Sequence, residues 1–439
     1  MRTDAQGLTI TASEPARAAY DAVVAGYLSY RADLPQRLGA LLAADPDFAL
    51  AHCLKGYLTL LGYREAARPV AEDALAAAER CASGATAREQ AHVAALRHWL
   101  AGDIDRAVAA WEAILLAHPH DVVAFRLAHF LNFWRGRPDL MLASVERVTP
   151  HWREDMPGYV SLLGCRCFAL EECGLYTPAE AAGREAIERD PSDLWAAHGV
   201  AHVLEMQGRR SEGLAWLAGL APHWEGATNL LHHLWWHAAM FHMEHGAFAA
   251  VLELYDRRFR DLASPLTQAA PDLYIDVQNA ASMLFRLGRH GIDVGDRWAE
   301  LADKAEARIG DTLSGFTQPH HMMALAAAGR DDAARRLLAA VRQAPDRDVR
   351  DVAAPVCEAA LLHGQGRHAE AVAAMRPVLG AMYRLGGSHA QQDVLEQLYL
   401  DAAVKAGLRD DVRMLLERVA GRHPVPPERR IGYAAAARL

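Results

Sequence analysis

The sequence predicts an all-α chain built from repeated helical hairpins, and two observations predict it. Apolar residues recur at helical spacing nearly throughout, with neither strand-like alternation nor an Asn-Gly hairpin signal. A glycine also recurs wherever one helical pattern stops and the next begins. The series is Gly62, Gly102, Gly136, Gly174, Gly208, Gly246, Gly288, Gly329, Gly366 and Gly407, in steps of 34 to 42 residues.

Each element of the repeat has a physical reason. The glycine supplies the left-handed cap that ends the first helix of a pair. An acidic or aromatic residue, then alanines, opens the second helix, as in Gly102-Asp-Ile-Asp-Arg-Ala107 and Gly246-Ala-Phe248-Ala-Ala. A proline turn ends several second helices, as in His118-Pro119-His120-Asp121 and Asp190-Pro191-Ser192-Asp193. Proline cannot continue a helix, and the aspartate after it caps the next one. Thr86-Ala-Arg-Glu89 has the spacing of a capping box and is read as structural. Helix, glycine turn, helix, proline turn at this period is a tetratricopeptide-like pattern. Such pairs bury their apolar faces only by stacking, so one right-handed superhelix, or solenoid, is expected. Ala107, Trp111 and Leu115 are then core residues. Residues 1–421 are expected to form this single domain. The Pro-rich, basic segment 422–439 is expected to be a C-terminal tail.

Composition bounds the function. The chain has 439 residues, 52% hydrophobic and 23% charged, which suits a globular protein with a large core. A net charge of -9 argues against a nucleic-acid binder or a polybasic membrane-surface protein. No window approaches the ~20 consecutive apolar residues of a membrane helix, and the N-terminal residues lack a secretory pattern. The six cysteines lack zinc-knuckle spacing and read as reduced thiols, so a cytoplasmic protein is expected. There is neither a G-x-x-x-x-G-K-[ST] phosphate loop nor a dinucleotide fingerprint.

Histidine is in excess, at 22 residues, and eight of them lie between His198 and His245. With the turn glycine as a ruler, residues 13, 10, 6 and 3 before it face the concave side of such a repeat. His198, His202 and Glu205 lie 10, 6 and 3 before Gly208. Two imidazoles at i, i+4 share a helical face and can share a metal ion. In the next pair, His233 and His237 lie 13 and 9 before Gly246. Asn279 lies 9 before Gly288, and His320 lies 9 before Gly329. His389 opens a later first helix, four residues before Asp393. His198, His202, His233, His237, His320 and His389 are therefore the candidate metal ligands. Neutral imidazoles with a carboxylate suit Zn²⁺ or another divalent transition metal. Glu205 and Asp393 are candidates for a further ligand or a general base. Trp195 and Trp236 could wall a dry pocket around them. Lone histidines such as His52, His92, His363 and His368 take the ordinary reading of core or surface residues. Ser388, His389 and Asp393 offer triad residue types but stand too close in sequence to act as a relay.

These segments resemble the tetratricopeptide repeat protein 38 family. The resemblance is carried by Phe168-Ala-Leu-Glu-Glu172-Cys-Gly-Leu-Tyr176, Trp195-Ala-Ala-His198-Gly-Val-Ala-His202-Val-Leu-Glu205, His233 with Trp235-Trp236-His237, His320-His-Met-Met, and Gly386-Gly-Ser-His389-Ala-Gln391 with Asp393. It spans about residues 85–410 and implies the repeat fold. Glu172 and Gln391, in these blocks, join Asn279 and the two tryptophans as candidate ligand contacts. Asn279 stands where family members tend to carry Asp, and Gln392 where Arg is expected.

Three functional readings follow. One is a metal-centred site in the concave groove for a small molecule or peptide, with hydrolysis as its expected chemistry. Another is a non-catalytic scaffold that holds a peptide in the groove. The third is acid–base catalysis by His and Glu without metal. No nucleic-acid or membrane partner is expected, and the sequence leaves homo-oligomerisation open.

Overall fold

A computed structural model describes residues 2–439. The described residues form 23 α-helices, with short 3-10 and π segments between them. Consecutive helices pack as antiparallel hairpins, so the chain is an all-α, tetratricopeptide-like helical repeat protein. The one departure is a two-stranded hairpin at the start, where Arg2–Thr3 pairs with Thr9–Ile10. The Asp4 carboxylate accepts from the backbone N–H groups of Gln6 and Leu8 and builds its turn. That local side-chain bond replaces the alternating pattern that marks longer strands.

The glycine turns are realised at eight of the ten expected positions, each with positive φ. At Gly208, the N–H of Arg209 reaches back to the carbonyl of Leu204, and the same backward bond recurs at the other seven. This is the Schellman closure that satisfies the last helical carbonyls. Two positions shift. After Gly62 the left-handed residue is Tyr63, with φ 45°. Gly288 stays helical inside Tyr274–Arg289, and Gly291 makes the turn with φ 71°. The aspartates after the proline turns act as expected: Asp121 accepts from the Ala124 N–H and Asp193 from the Ala196 N–H.

The chain divides into two compact units. One comprises residues 1–133, 137–200 and 220–230, and the other 134–136, 201–219 and 231–439. In the first, an aromatic core gathers Tyr57, Trp99 and Trp111. In the second, first helices stack on first helices. Tyr274–Arg289 packs against Thr317–Ala327, Thr317–Ala327 against Ala354–Gly364, and Tyr274–Arg289 also meets His389–Lys405. The C-terminal segment contributes to the second unit. Tyr433 is buried and donates to Asp393, and Arg430 pairs with the same carboxylate. No helix is long and apolar enough to cross a membrane. The six cysteines are free thiols.

Gly386 has φ 78° and ψ -164°, a region open only to glycine, and a Cβ there would meet the Trp134 carbonyl oxygen at 2.4 Å. Gly102 has a similar φ with open space around it. Gly102→Ala should therefore cost about 1 kcal/mol and Gly386→Ala at least about 3 kcal/mol, because a backbone carbonyl cannot step aside. Urea denaturation of the two variants measures the difference.

Candidate functional site: a buried histidine cluster

Two helices build the cluster. Leu194–Met206 carries His198 and His202 one turn apart, and Leu230–Glu244 carries His233 and His237 one turn apart. The boundary between the units passes through the first of these helices, between Val200 and Ala201. Helical continuity alone therefore sets His198 against His202. The four histidines each offer one ring nitrogen, and these atoms lie within 4.8 Å of one another. All four side chains are buried. The rings of His202 and His237 lie 4.5 Å apart between centroids, and those of His233 and His237 4.8 Å.

Burial decides the charge state of these rings. Desolvation holds His202 and His233 well below the usual imidazole range, with the neighbouring imidazoles adding to it. Burial alone pushes His237 down to about 3. Neutral imidazole is the form that binds a metal ion.

Oxygen partners decide the tautomer. His233 Nδ1 donates to Asn279 Oδ1 at 3.0 Å. His237 Nδ1 lies 2.8 Å from Glu205 Oε2. With Nδ1–H held by an oxygen, Nε2 keeps its lone pair, which is how metal-binding histidines are commonly oriented. Next to His233, His232 meets Asp276 in the same way at 2.9 Å. Trp236 lies against His233 in a stacked contact and donates to Ser282.

Glu205 differs from Asp393. Burial pushes Glu205 up to about 7, although Arg286 and Arg430 oppose the rise. It borders a pocket of about 30 Å³, room for one water, together with Glu244, Arg286, Asp393 and Arg430. Asp393 is also buried, but it accepts from Arg430 (2.6 Å), Tyr433 (2.5 Å) and Gln397 (2.6 Å). Arg430 and Arg286 outweigh its desolvation and hold it below the usual carboxylate range. A carboxylate held this way anchors cations and is poorly placed to take a proton.

The remaining nominated residues are placed as follows. His320 is buried, and its Nδ1 donates to the Phe316 carbonyl at 2.8 Å. His389 is half-buried in the second unit and contributes to the depression of His202. Gln391 forms a capping box with Ser388, each side chain bonding the other's backbone N–H. That Ser-x-x-Gln spacing was available as a sequence signal. In the first unit, Trp195 packs on Phe168 and His198, with the Arg126 guanidinium 5.3 Å from its ring centre. Glu172 is buried in the same unit.

Three participants escaped sequence reasoning. Arg286 is buried, bonds the Ala390 carbonyl and Asp393, and lies 5.8 Å from the Trp236 ring centre. Asp276 and Arg430 are the others. Nothing in the histidine spacing points to an arginine, but Asp276 stands three residues before Asn279, one helical turn away.

No known family profile matches the chain. Among solved structures, human IFIT1, as a dimer with m7Gppp-AAAA, aligns over 98% of this chain and 96% of its own, with 13% identity and a TM-score of 0.43. Yeast Tom70 aligns over 96% of this chain and 87% of its own, with 12% identity and a TM-score of 0.40.

Buried histidines outside the cluster give the second unit a pH dependence. Burial lowers His320 to about 4 and His321 to about 3. A histidine whose folded value is depressed contributes stability that is complete above its unfolded value near 6.5. That stability is lost as pH falls toward the folded value. Each should cost about 1.4 kcal/mol per pH unit below ~6.5. Glu205 acts oppositely: its raised value adds stability at low pH that is lost as pH rises through about 7. Two histidines outweigh one carboxyl, so thermal melts should show a clear drop in Tm between pH 7 and pH 5. A flat profile would show that these rings are wetter than the structure indicates.

Proposed function

We propose that this is a tetratricopeptide-like repeat protein with a buried divalent-metal centre, for which Zn²⁺ is the fitting ion. His202, His233 and His237 are its ligands, and His198 is the fourth. The observation that carries this is the convergence of four buried imidazole nitrogens within 4.8 Å. In a tetrahedral zinc site with bonds of about 2.0–2.1 Å, nitrogens stand ~3.3 Å apart, so small side-chain rotations complete it. Bound there, the ion would supply a closed four-coordinate cross-link between the two helices. A closed set leaves no coordination position for a substrate. Glu205 sits behind the His237 ring as its orienting acceptor, so the hydrolytic reading loses its base. The scaffold reading also weakens, because the histidines are too buried to hold a peptide. We also assign the chain to the tetratricopeptide repeat protein 38 family on its His198–Glu205 and Gly386–Gln391 blocks, and to a reducing cytoplasm on its free thiols.

Elemental analysis of protein purified without a histidine tag should find close to one zinc per chain. His202→Ala and His237→Ala should lose it, and Glu205→Gln should weaken affinity about 10–100-fold through the misoriented ring. Less than about a tenth of an equivalent after reconstitution would sink the proposal.

A second reading has one observation in its favour. Glu205 at about 7, beside a one-water pocket, is poised as an acid–base group for a small molecule. Infrared titration of metal-free protein should then show a carboxyl band that disappears near pH 7 and is absent in Glu205→Gln. If Glu205 titrates with the ordinary carboxylates, this reading fails.

A further inference from the structure

A cavity of the second unit lies away from the histidine cluster, between the Tyr274–Arg289, Thr317–Ala327, Ala354–Gly364 and His389–Lys405 helices. Its volume is about 190 Å³. An apolar cavity of about 150 Å³ holds a benzene ring, so this one has room for a ring with a short substituent. Phe285, Trp298 and Met323 are large apolar residues of its lining, and Ala326, Ala327 and Gly364 are small ones that leave room.

One end is charged. Asp401 lies 2.6 Å from His363 Nε2 and 2.7 Å from Lys405 Nζ. Arg289 Nε stands 3.5 Å from its other oxygen. Arg289 is held in place by bonds from Nη1 to Gln397 and to the Gly432 carbonyl. Its buried Nε has no hydrogen-bond partner among the described residues. Two permanent cations therefore face a single carboxylate, and the pocket end carries an excess positive charge whatever the state of His363. Against the effect of burial, the His363 hydrogen bond and then Lys405 and Arg289 hold Asp401 below the usual carboxylate range, so its own charge is already spoken for.

We propose that this cavity binds a small organic acid, with an aryl or short alkyl body against Phe285, Trp298 and Met323 and its carboxylate beside Arg289 and Lys405. The apolar lining supplies the affinity of a non-polar body. The unmatched cation selects an anion over its neutral isostere. The site is independent of the metal centre, since none of its residues is among the four histidines.

Calorimetric titration of the full-length protein with phenylacetate and hexanoate, and with phenylacetamide as the neutral control, tests the proposal. At least one acid should bind, and phenylacetamide should bind about tenfold or more weakly than phenylacetate. Lys405→Met should weaken acid binding about fivefold or more, and Asp401→Asn, which removes the competing carboxylate, should strengthen it. Both residues are partly exposed, which favours folded variants. Gly288 borders the pocket with nothing within 4 Å of where a Cβ would sit, so Gly288→Leu should fill the space and abolish binding. Circular dichroism checks that each variant is folded. Absence of binding by either acid up to about 10 mM, where even a ~-3 kcal/mol interaction would register, overturns the proposal. So does equal binding of acid and amide, or indifference to both charge variants.

Discussion

The glycine turn is the constraint on which the rest depends. A helix leaves its last carbonyls unsatisfied, and here a left-handed residue closes them by a backward bond at each hairpin. That closure fixes where the first helix ends, and so which of its side chains meet those of the next first helix. Asn279 illustrates the consequence. Counted from Gly288 it should stand level with His237, but the turn is made three residues later, at Gly291. Asn279 is then twelve before the turn and meets His233, which is thirteen before its own. Ser282 takes the lower level and meets Trp236 beside His237. One displaced turn has re-paired two side chains.

Once the helices are in phase, the cost of burying polar groups determines the chemistry. An imidazole without water is held neutral, so burial, with neighbouring imidazoles adding at His202 and His233, leaves His202, His233 and His237 in the form that can bind a metal ion. The same low dielectric treats the two carboxylates differently. Asp393 has donors from Arg430, Tyr433, Gln397 and Arg286 and stays ionised. Glu205 touches only a neutral ring among the bonds known to it, and rises to about 7. Two acids in one pocket thus take different roles because of their neighbours, not their residue type.

The repeat was legible in the sequence because its signals are local. A glycine that must turn left, an aspartate that caps and a helical apolar face each act within a few residues. The four histidines were legible for the same reason: i, i+4 spacing puts each pair on one face, and the glycine ruler turns both faces inward. His320 met the same ruler but found a backbone carbonyl within its own helix, a partner no spacing reveals. Gln391 completes the Ser-x-x-Gln capping box with Ser388, a local signal with a structural meaning. The Gly386-Gly387 pair before it is explained by backbone fit against Trp134 and Phe316. Arg286, Asp276 and Arg430 were illegible because their roles come from helices 40 to 190 residues away meeting in space. Arg430 and Tyr433 lie in the segment whose composition reads as a solvated tail, and only packing against Asp393 shows otherwise.

Asn279 also sets the charge of the centre. Both an amide oxygen and a carboxylate can accept from His233 Nδ1–H, and both leave Nε2 as the ligand atom. Only the carboxylate would bring a negative charge. With an amide there, the Glu205 carboxyl beside His237 would be left to offset part of the charge of a divalent ion at the proposed centre. Asp276 is a further buried acid, bonded to His232, on the position adjacent to His233 in the same helix. A partly compensated dication in a low-dielectric interior favours whatever adds negative charge nearby. The carboxyl with room to respond is Glu205, which burial raises to about 7 despite Arg286 and Arg430. An amide at position 279 would thereby leave that electrostatic work at the proposed centre to Glu205, one turn from His202 on the same helix.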